Sequence, residues 1–208
     1  MAQLELVHPA PLEHTHADDA RPDHAVIPHL IEEGARVLDV GCGDGALLAL
    51  LARERNARGS GLERDPALVR ACIARGLSAA QGDPDSELAH FPSGTFDVVI
   101  LSHTLQHLRD PRTALKHAGR IGARVIVTIS NAAQWRERAK LACGGRVARW
   151  DAAHRPASVR DLAELERACG LSIETAVQLS RGRDGAPFGK VLWRANWFAD
   201  EAVFLLQA

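Results

Sequence analysis

Residues Val37-Leu38-Asp39-Val40-Gly41-Cys42-Gly43-Asp44-Gly45 constrain this chain more than any other stretch. A short apolar run meets an acid, then three glycines at alternate positions, and the helix-forming segment Ala46 to Arg53 follows at once. That order reads as a buried strand, a tight turn and a helix start, the opening unit of a nucleotide-binding α/β domain. The glycines permit positive φ and let a ligand approach the backbone more closely than any Cβ would allow. Free N–H groups at the start of the helix then face that ligand.

The loop by itself also fits a dinucleotide fingerprint, because Gly41-x-Gly43-x-x-Ala46 has the right spacing. Asp39 and Asp44 argue against a pyrophosphate, which they would repel, and for the sulfonium and ammonium of S-adenosylmethionine (SAM). A nicotinamide enzyme ranks last, since 208 residues leave no room for a separate substrate domain. Gly59-Ser60-Gly61-Leu62-Glu63 is a second strand ending in an acid, placed to accept from both ribose hydroxyls. In Gln81-Gly82-Asp83-Pro84, Asp83 is expected to accept from the adenine amino group, with nearby Asp85 as the alternative. Phe96 to His103 is a buried strand whose end borders the reacting methyl. Four such elements in this order point to a class I SAM-methyltransferase fold, with S-adenosylhomocysteine as product or bound ligand.

Strands and helices alternate through the rest, as a mostly parallel twisted sheet with helices on both faces requires. A helix is expected from Arg21-Pro22-Asp23-His24, carrying Val26, Ile27, Leu30 and Ile31, until Gly34. Asp65-Pro66 and Asp110-Pro111 pair an N-cap with proline at the first helical position. Arg124–Ile129 is a strand buried on both faces. A helix over Ala132–Ala142 and a Ser158-x-x-Asp161 capped helix ending at Gly170 follow. Leu171–Leu179 and Ala202–Leu206 close the sheet as an antiparallel pair at its edge. Residues 1–20 are expected to form a flexible arm, their His14-x-His16 a solvated feature with no metal, and 21–208 one domain.

Formal net charge is −1, which gives no basic excess for nucleic acid. The run Trp135 to Lys140 with Arg146, Arg149 and Trp150 is basic, but reads as a solvated helix face or a protein-docking surface. Trp193 and Trp197 read as packing. Cys42, Cys72, Cys143 and Cys169 lack metal or disulfide spacing, and no apolar run has membrane-spanning length. A cytoplasmic protein is the resulting expectation.

Several strings make the chain resemble the methionine biosynthesis protein MetW family. They include Arg21-Pro22-Asp23, Leu62-Glu63-x-Asp65, Cys72-Ile73-Ala74-Arg75-Gly76, Leu101-Ser102-x-Thr104-Leu105-Gln106 and the ending Glu201 to Leu206. The resemblance implies a methyltransferase fold serving methionine biosynthesis beside a homoserine O-acyltransferase; the coincidence of a SAM-type pocket and this pathway makes the site a candidate sensor. The alternative is an enzyme methylating a small-molecule acceptor. The chain departs from the family pattern at Thr128-Ile129-Ser130-Asn131 and at 148–156, where a longer aromatic segment is usual, and it has no Tyr.

The cofactor residues expected are therefore Asp39, Gly41, Cys42, Gly43, Glu63, Asp83 and Ser102. Ser102 is assigned to the methionine end of SAM and Asp39 to its ammonium, while Cys42 also fits as a small residue in a tight turn. Methyl transfer itself needs alignment more than catalytic groups. His103, and after it His107, are the candidate general bases.

Overall fold

The structure is a computed structural model that describes residues 21–131, Trp135, 158–179 and 199–207. The expected arm at 1–20, the helix over 132–142 apart from Trp135, the rest of the basic run, the 148–156 segment, Trp193 and Trp197 lie outside the described residues.

Among the described residues seven strands form one sheet: β1 Arg36–Val40, β2 Arg58–Glu63, β3 Ser78–Gln81, β4 Phe96–Ser102, β5 Gly122–Ser130, β6 Ser172–Leu179 and β7 Glu201–Gln207. Their spatial order is β3-β2-β1-β4-β5-β7-β6. Strands β1 to β5 pair in parallel, and β7 runs antiparallel to both of its neighbours, β5 and β6. The reversed strand is thus one place in from the edge, with β6 outside it. Order and direction are those of the class I methyltransferase fold expected from the sequence.

The helices whose full bounds lie among the described residues are α1 Ala46–Arg55, α2 Pro66–Ala74, α3 Pro84–Glu87, α4 Pro111–Ile121 and α5 Val159–Cys169. Asp65 and Asp110 cap α2 and α4 through their side chains, as their Asp-Pro pairs predict. Ser158 and Asp161 form a reciprocal capping box on α5, and Gly170 ends that helix in the left-handed region.

Period-two alternation divides the core between the two faces. Val99 and Leu101 of β4, with Val125, Val127 and Ile129 of β5, pack under Ala114, Leu115, Ala118 and Ile121 of α4 and Leu162 of α5. Val98, Ile100 and Ile126 point the other way, onto Leu47 and Leu51 of α1 and Ile27 of the N-terminal segment. All of β4's Val98 to Leu101 are buried, as strands covered on both faces should be.

One expectation fails at the start. The helix expected from residue 21 is instead two short 3-10 turns, Pro22–Ala25 and Ile27–Leu30. Pro28 explains it, because its ring removes an N–H and collides with the carbonyl four residues back, which stops a continuous α-helix. The apolar residues still reach the core, since Ile27 and Ile31 are buried.

Candidate functional site

The strand order reverses at β1 and β4, whose neighbours lie on opposite sides, and open α/β sheets bind ligands at such a point beyond the carboxyl ends of the strands. The glycine loop leaves β1 there. Gly41 has φ +75°, and a Cβ on it would sit 2.5 Å from Thr104 Oγ1. The residue must be glycine because the loop after β4 lies against it. Thr104 fastens the two by donating to the Val40 carbonyl at 2.7 Å and to that of Ser102 at 3.1 Å. Gly61 of β2 serves a second close approach, since a Cβ would stand 2.4 Å from Cys42 Sγ.

Glu63 closes the outer end of this crevice. Its Oε2 accepts from Gly43 N–H at 3.0 Å, and its Oε1 accepts from the N–H groups of Arg64 at 2.8 Å and Asp65 at 2.9 Å. A carboxylate offers about four acceptor positions, so one is left, on the oxygen that faces the loop.

At the inner end Asp39 sits beside Gly61 and Ile100 on neighbouring strands and is 2% exposed. Burial pushes its carboxyl up to about 7; Asp23 and Glu63 add to that, and the Arg21 guanidinium opposes it. A cavity of about 110 Å³ opens here, walled by Arg21, His24, Asp39, Ser102 and the 41–44 loop. Arg21 Nη2 donates to Asp23 at 3.0 Å and to Ser102 Oγ at 2.7 Å, and the Ser102 hydroxyl donates in turn to Asp23 in a short bond. The Ser102 hydroxyl is therefore engaged within the protein, holding Arg21 and Asp23. Burial lowers the pKa of His24 below the ordinary histidine range, despite Asp23.

Cys42 lies in the loop that walls the cavity. Its sulfur lies 3.9 Å from that of Cys72 and packs beneath the loop, and burial, then Asp39, push its thiol up. Asp44 is occupied too, since its Oδ1 accepts from Ala46 N–H at 3.2 Å and its Oδ2 pairs with Arg75 at 2.8 Å.

Asp83 caps α3 by accepting from Asp85 N–H at 3.1 Å, and its other oxygen lies 3.8 Å from Arg109. Asp85 accepts from the backbone N–H groups of Arg109 and Asp110, tying α3 to the start of α4. Of the two carboxylates, Asp83 keeps the less committed oxygen.

His103 stands at φ +51°, rare for a side-chain-bearing residue, with its N–H donating to the Thr128 carbonyl at 3.1 Å. Its Nδ1 is 3.3 Å from Ser130 Oγ. Its Nε2 is 3.5 Å from Glu201 Oε2 and 3.9 Å from Asp23 Oδ2. Glu201 reaches this edge because β7 is reversed and so delivers its first residue beside Ser130, at the carboxyl end of β5. His107 follows in a 3-10 turn and is exposed. Arg21, Asp23 and Glu201 carry no chemical motif in the sequence; their signals are the family strings Arg21-Pro22-Asp23 and Glu201 to Leu206. Among the described residues no cluster of three or more His, Cys, Asp or Glu side chains is placed to hold a metal, and no helix is long and apolar enough to cross a membrane.

The family profile described as methionine biosynthesis protein MetW matches residues 21–206, nearly the whole chain. The chain belongs to the MetW family. Among curated relatives of this MetW-family chain, the ubiquinone biosynthesis O-methyltransferase of Xanthomonas oryzae pv. oryzae is 33% identical over 114 residues, 49% of this chain and 47% of that protein. A bifunctional methionine biosynthesis protein MetXA/MetW of Rhodopirellula baltica is 31% identical over 117 residues, 52% of this chain and 19% of that protein. The chain thus spans about half the length of the first and a fifth of the second. A SAM-dependent methyltransferase structure from Thermotoga maritima superposes with a TM-score of 0.68 at 19% identity, covering 89% of this chain and 87% of that one. A TehB-like SAM-dependent methyltransferase from Corynebacterium glutamicum gives 0.63 at 21% identity, over 91% and 88%. The MetW-family chain is therefore a SAM-dependent methyltransferase-like protein in fold and sequence.

Proposed function

We propose that this protein binds SAM in the β1/β4 crevice and serves methionine biosynthesis by supporting a homoserine O-acyltransferase partner. The observation that carries the reading is family membership over residues 21–206. It is supported by the Rhodopirellula baltica relative, a bifunctional methionine biosynthesis protein MetXA/MetW. The donor set suits the cofactor: a buried acid for an ammonium, a guanidinium for a carboxylate, and an oriented carboxylate for a ribose hydroxyl. Asp39 and Arg21 would hold the amino-acid end, with Ser102 positioning Arg21. Glu63 would take the ribose, and the Asp83 oxygen nearer Arg109 the adenine amino group. Gly41, Cys42 and Gly43 would contribute backbone only. In this reading SAM acts as a signal of pathway output. The test measures homoserine acyl transfer by the cognate acyltransferase with and without this protein, and then with SAM. A rise in rate with co-elution supports the reading, and no complex and no change in rate overturns it.

A second reading has its own observation. His103 is oriented by Ser130 and flanked by Glu201 and Asp23, the arrangement of a positioned general base. SAM, when bound, supplies a methyl already activated by its sulfonium. His103 Nε2 would accept the proton that a small-molecule acceptor loses as its lone pair takes the methyl and the carbon–sulfur bond breaks. Formation of S-adenosylhomocysteine in a metabolite extract, lost in His103→Ala, tests this reading; no turnover in any extract removes it.

A further inference from the structure

A larger cavity, about 420 Å³, lies away from the glycine loop, between the starts of α4 and α5 and the end of β5. It shares no wall residue with the cavity at Asp39. Its volume falls in the range of small-molecule sites, and Leu105, Ile129, Leu162 and Leu165 give it a mainly apolar wall. Gln106 is the exception in that wall. It is 4% exposed, and its Oε1 has no hydrogen-bond partner among the described residues. A buried amide oxygen left without a partner costs about 1–3 kcal/mol, a cost that a ligand in this cavity would relieve by pairing with the amide.

The rim narrows the ligand class. Among the described residues Arg109, Asp110, Arg112 and Asp161 border the opening, two cations balanced by two carboxylates that also cap helices, Asp110 accepting from Thr113 and Asp161 from Ser158. A rim of balanced charge favours a ligand with no net charge. A hydroxyl both donates and accepts, so it satisfies the Gln106 amide whichever of its ends is presented.

We propose that this cavity is a second ligand site, which takes a small apolar molecule carrying a hydroxyl and recognises that hydroxyl through Gln106. The assignment holds whether the crevice at β1 and β4 transfers a methyl or only binds SAM.

The test uses the full chain, p-cresol and toluene as probes matched but for the hydroxyl, and the methyl NMR signals of Ile129, Leu162 and Leu165. Saturable shifts are expected with both, p-cresol binding about fivefold more tightly, as one net hydrogen bond implies. Gln106→Leu keeps the shape and should bring the two affinities together while toluene still binds. Leu165→Trp, on the partly buried side of the wall, should abolish binding of both probes and leave SAM affinity unchanged. Absence of saturable shifts in the parent protein, equal affinity for both probes there, or an undiminished p-cresol preference in Gln106→Leu each overturns the proposal.

Discussion

The two ends of the β1/β4 crevice each present a carboxylate, and they hold it by opposite means. Glu63 is oriented by three backbone N–H groups at the tip of β2, so its geometry is set before any ligand arrives. Asp39, one residue from the end of β1, is buried, and its proton is held to about pH 7. The first arrangement favours shape, since the remaining acceptor position admits a donor from one direction. The second favours charge, because the buried acid gains most when a cation comes to rest beside it.

The largest expected effect breaks both ends together. Gly61→Val would drive a side chain into Cys42 Sγ, and the loop that links Asp39 to the Gly43–Glu63 bond would have to shift. Stability should fall by about 1–3 kcal/mol from overpacking, with calorimetric SAM binding lost. Full affinity in the Gly61→Val protein would show that the loop does not need this fit.

Asp39→Asn separates the ends. SAM affinity should drop by about 1.5–3 kcal/mol, the contribution of a hydrogen bond to a charged group. A bound ammonium favours the ionised acid, so binding releases a proton and parent affinity should rise with pH through about 7, then level off. The Asp39→Asn protein should show no such rise. Stability has the reverse sign. The native acid keeps its proton between its ordinary value and about 7, so stability should fall as pH rises through that window and then flatten. The same substitution should remove this fall in denaturant titrations at several pH values.

Glu63→Ala should weaken SAM by about 1–3 kcal/mol while keeping the pH dependence, because Asp39 is intact. If the slope vanished with Glu63, the titrating group would be at the wrong end of the crevice. The smallest effect belongs to Asp65→Ala, which removes the α2 cap beside Glu63 and should cost about 1 kcal/mol in denaturant unfolding with SAM affinity little changed.

What could be read from the sequence follows the range of the interaction. The strands were legible because β-branched runs such as Arg124–Ile129 have one stable fate, and α2, α4 and α5 because their caps are local. Asp83-Pro84 carries the same cap-and-proline signal as Asp65-Pro66, but the four residues of α3 are too few to show a helical apolar period. The trio Arg21, Asp23 and Ser102 depends on contacts between residues about eighty positions apart, which no local pattern encodes. The His103 backbone conformation was equally hidden, because it is imposed by the bond to Thr128 on the neighbouring strand.

The reversed strand β7 also imposes an order of events. During synthesis it emerges after every other strand of the sheet, yet it must enter between β5 and β6, both already translated. Until then the nine residues of β5 present an unpaired, largely apolar edge of the kind that invites aggregation. His103 likewise waits for Glu201. Ribosome-bound chains stopped short of residue 201 should therefore hold the glycine loop but an incomplete mouth, and depend on chaperones to shield β5.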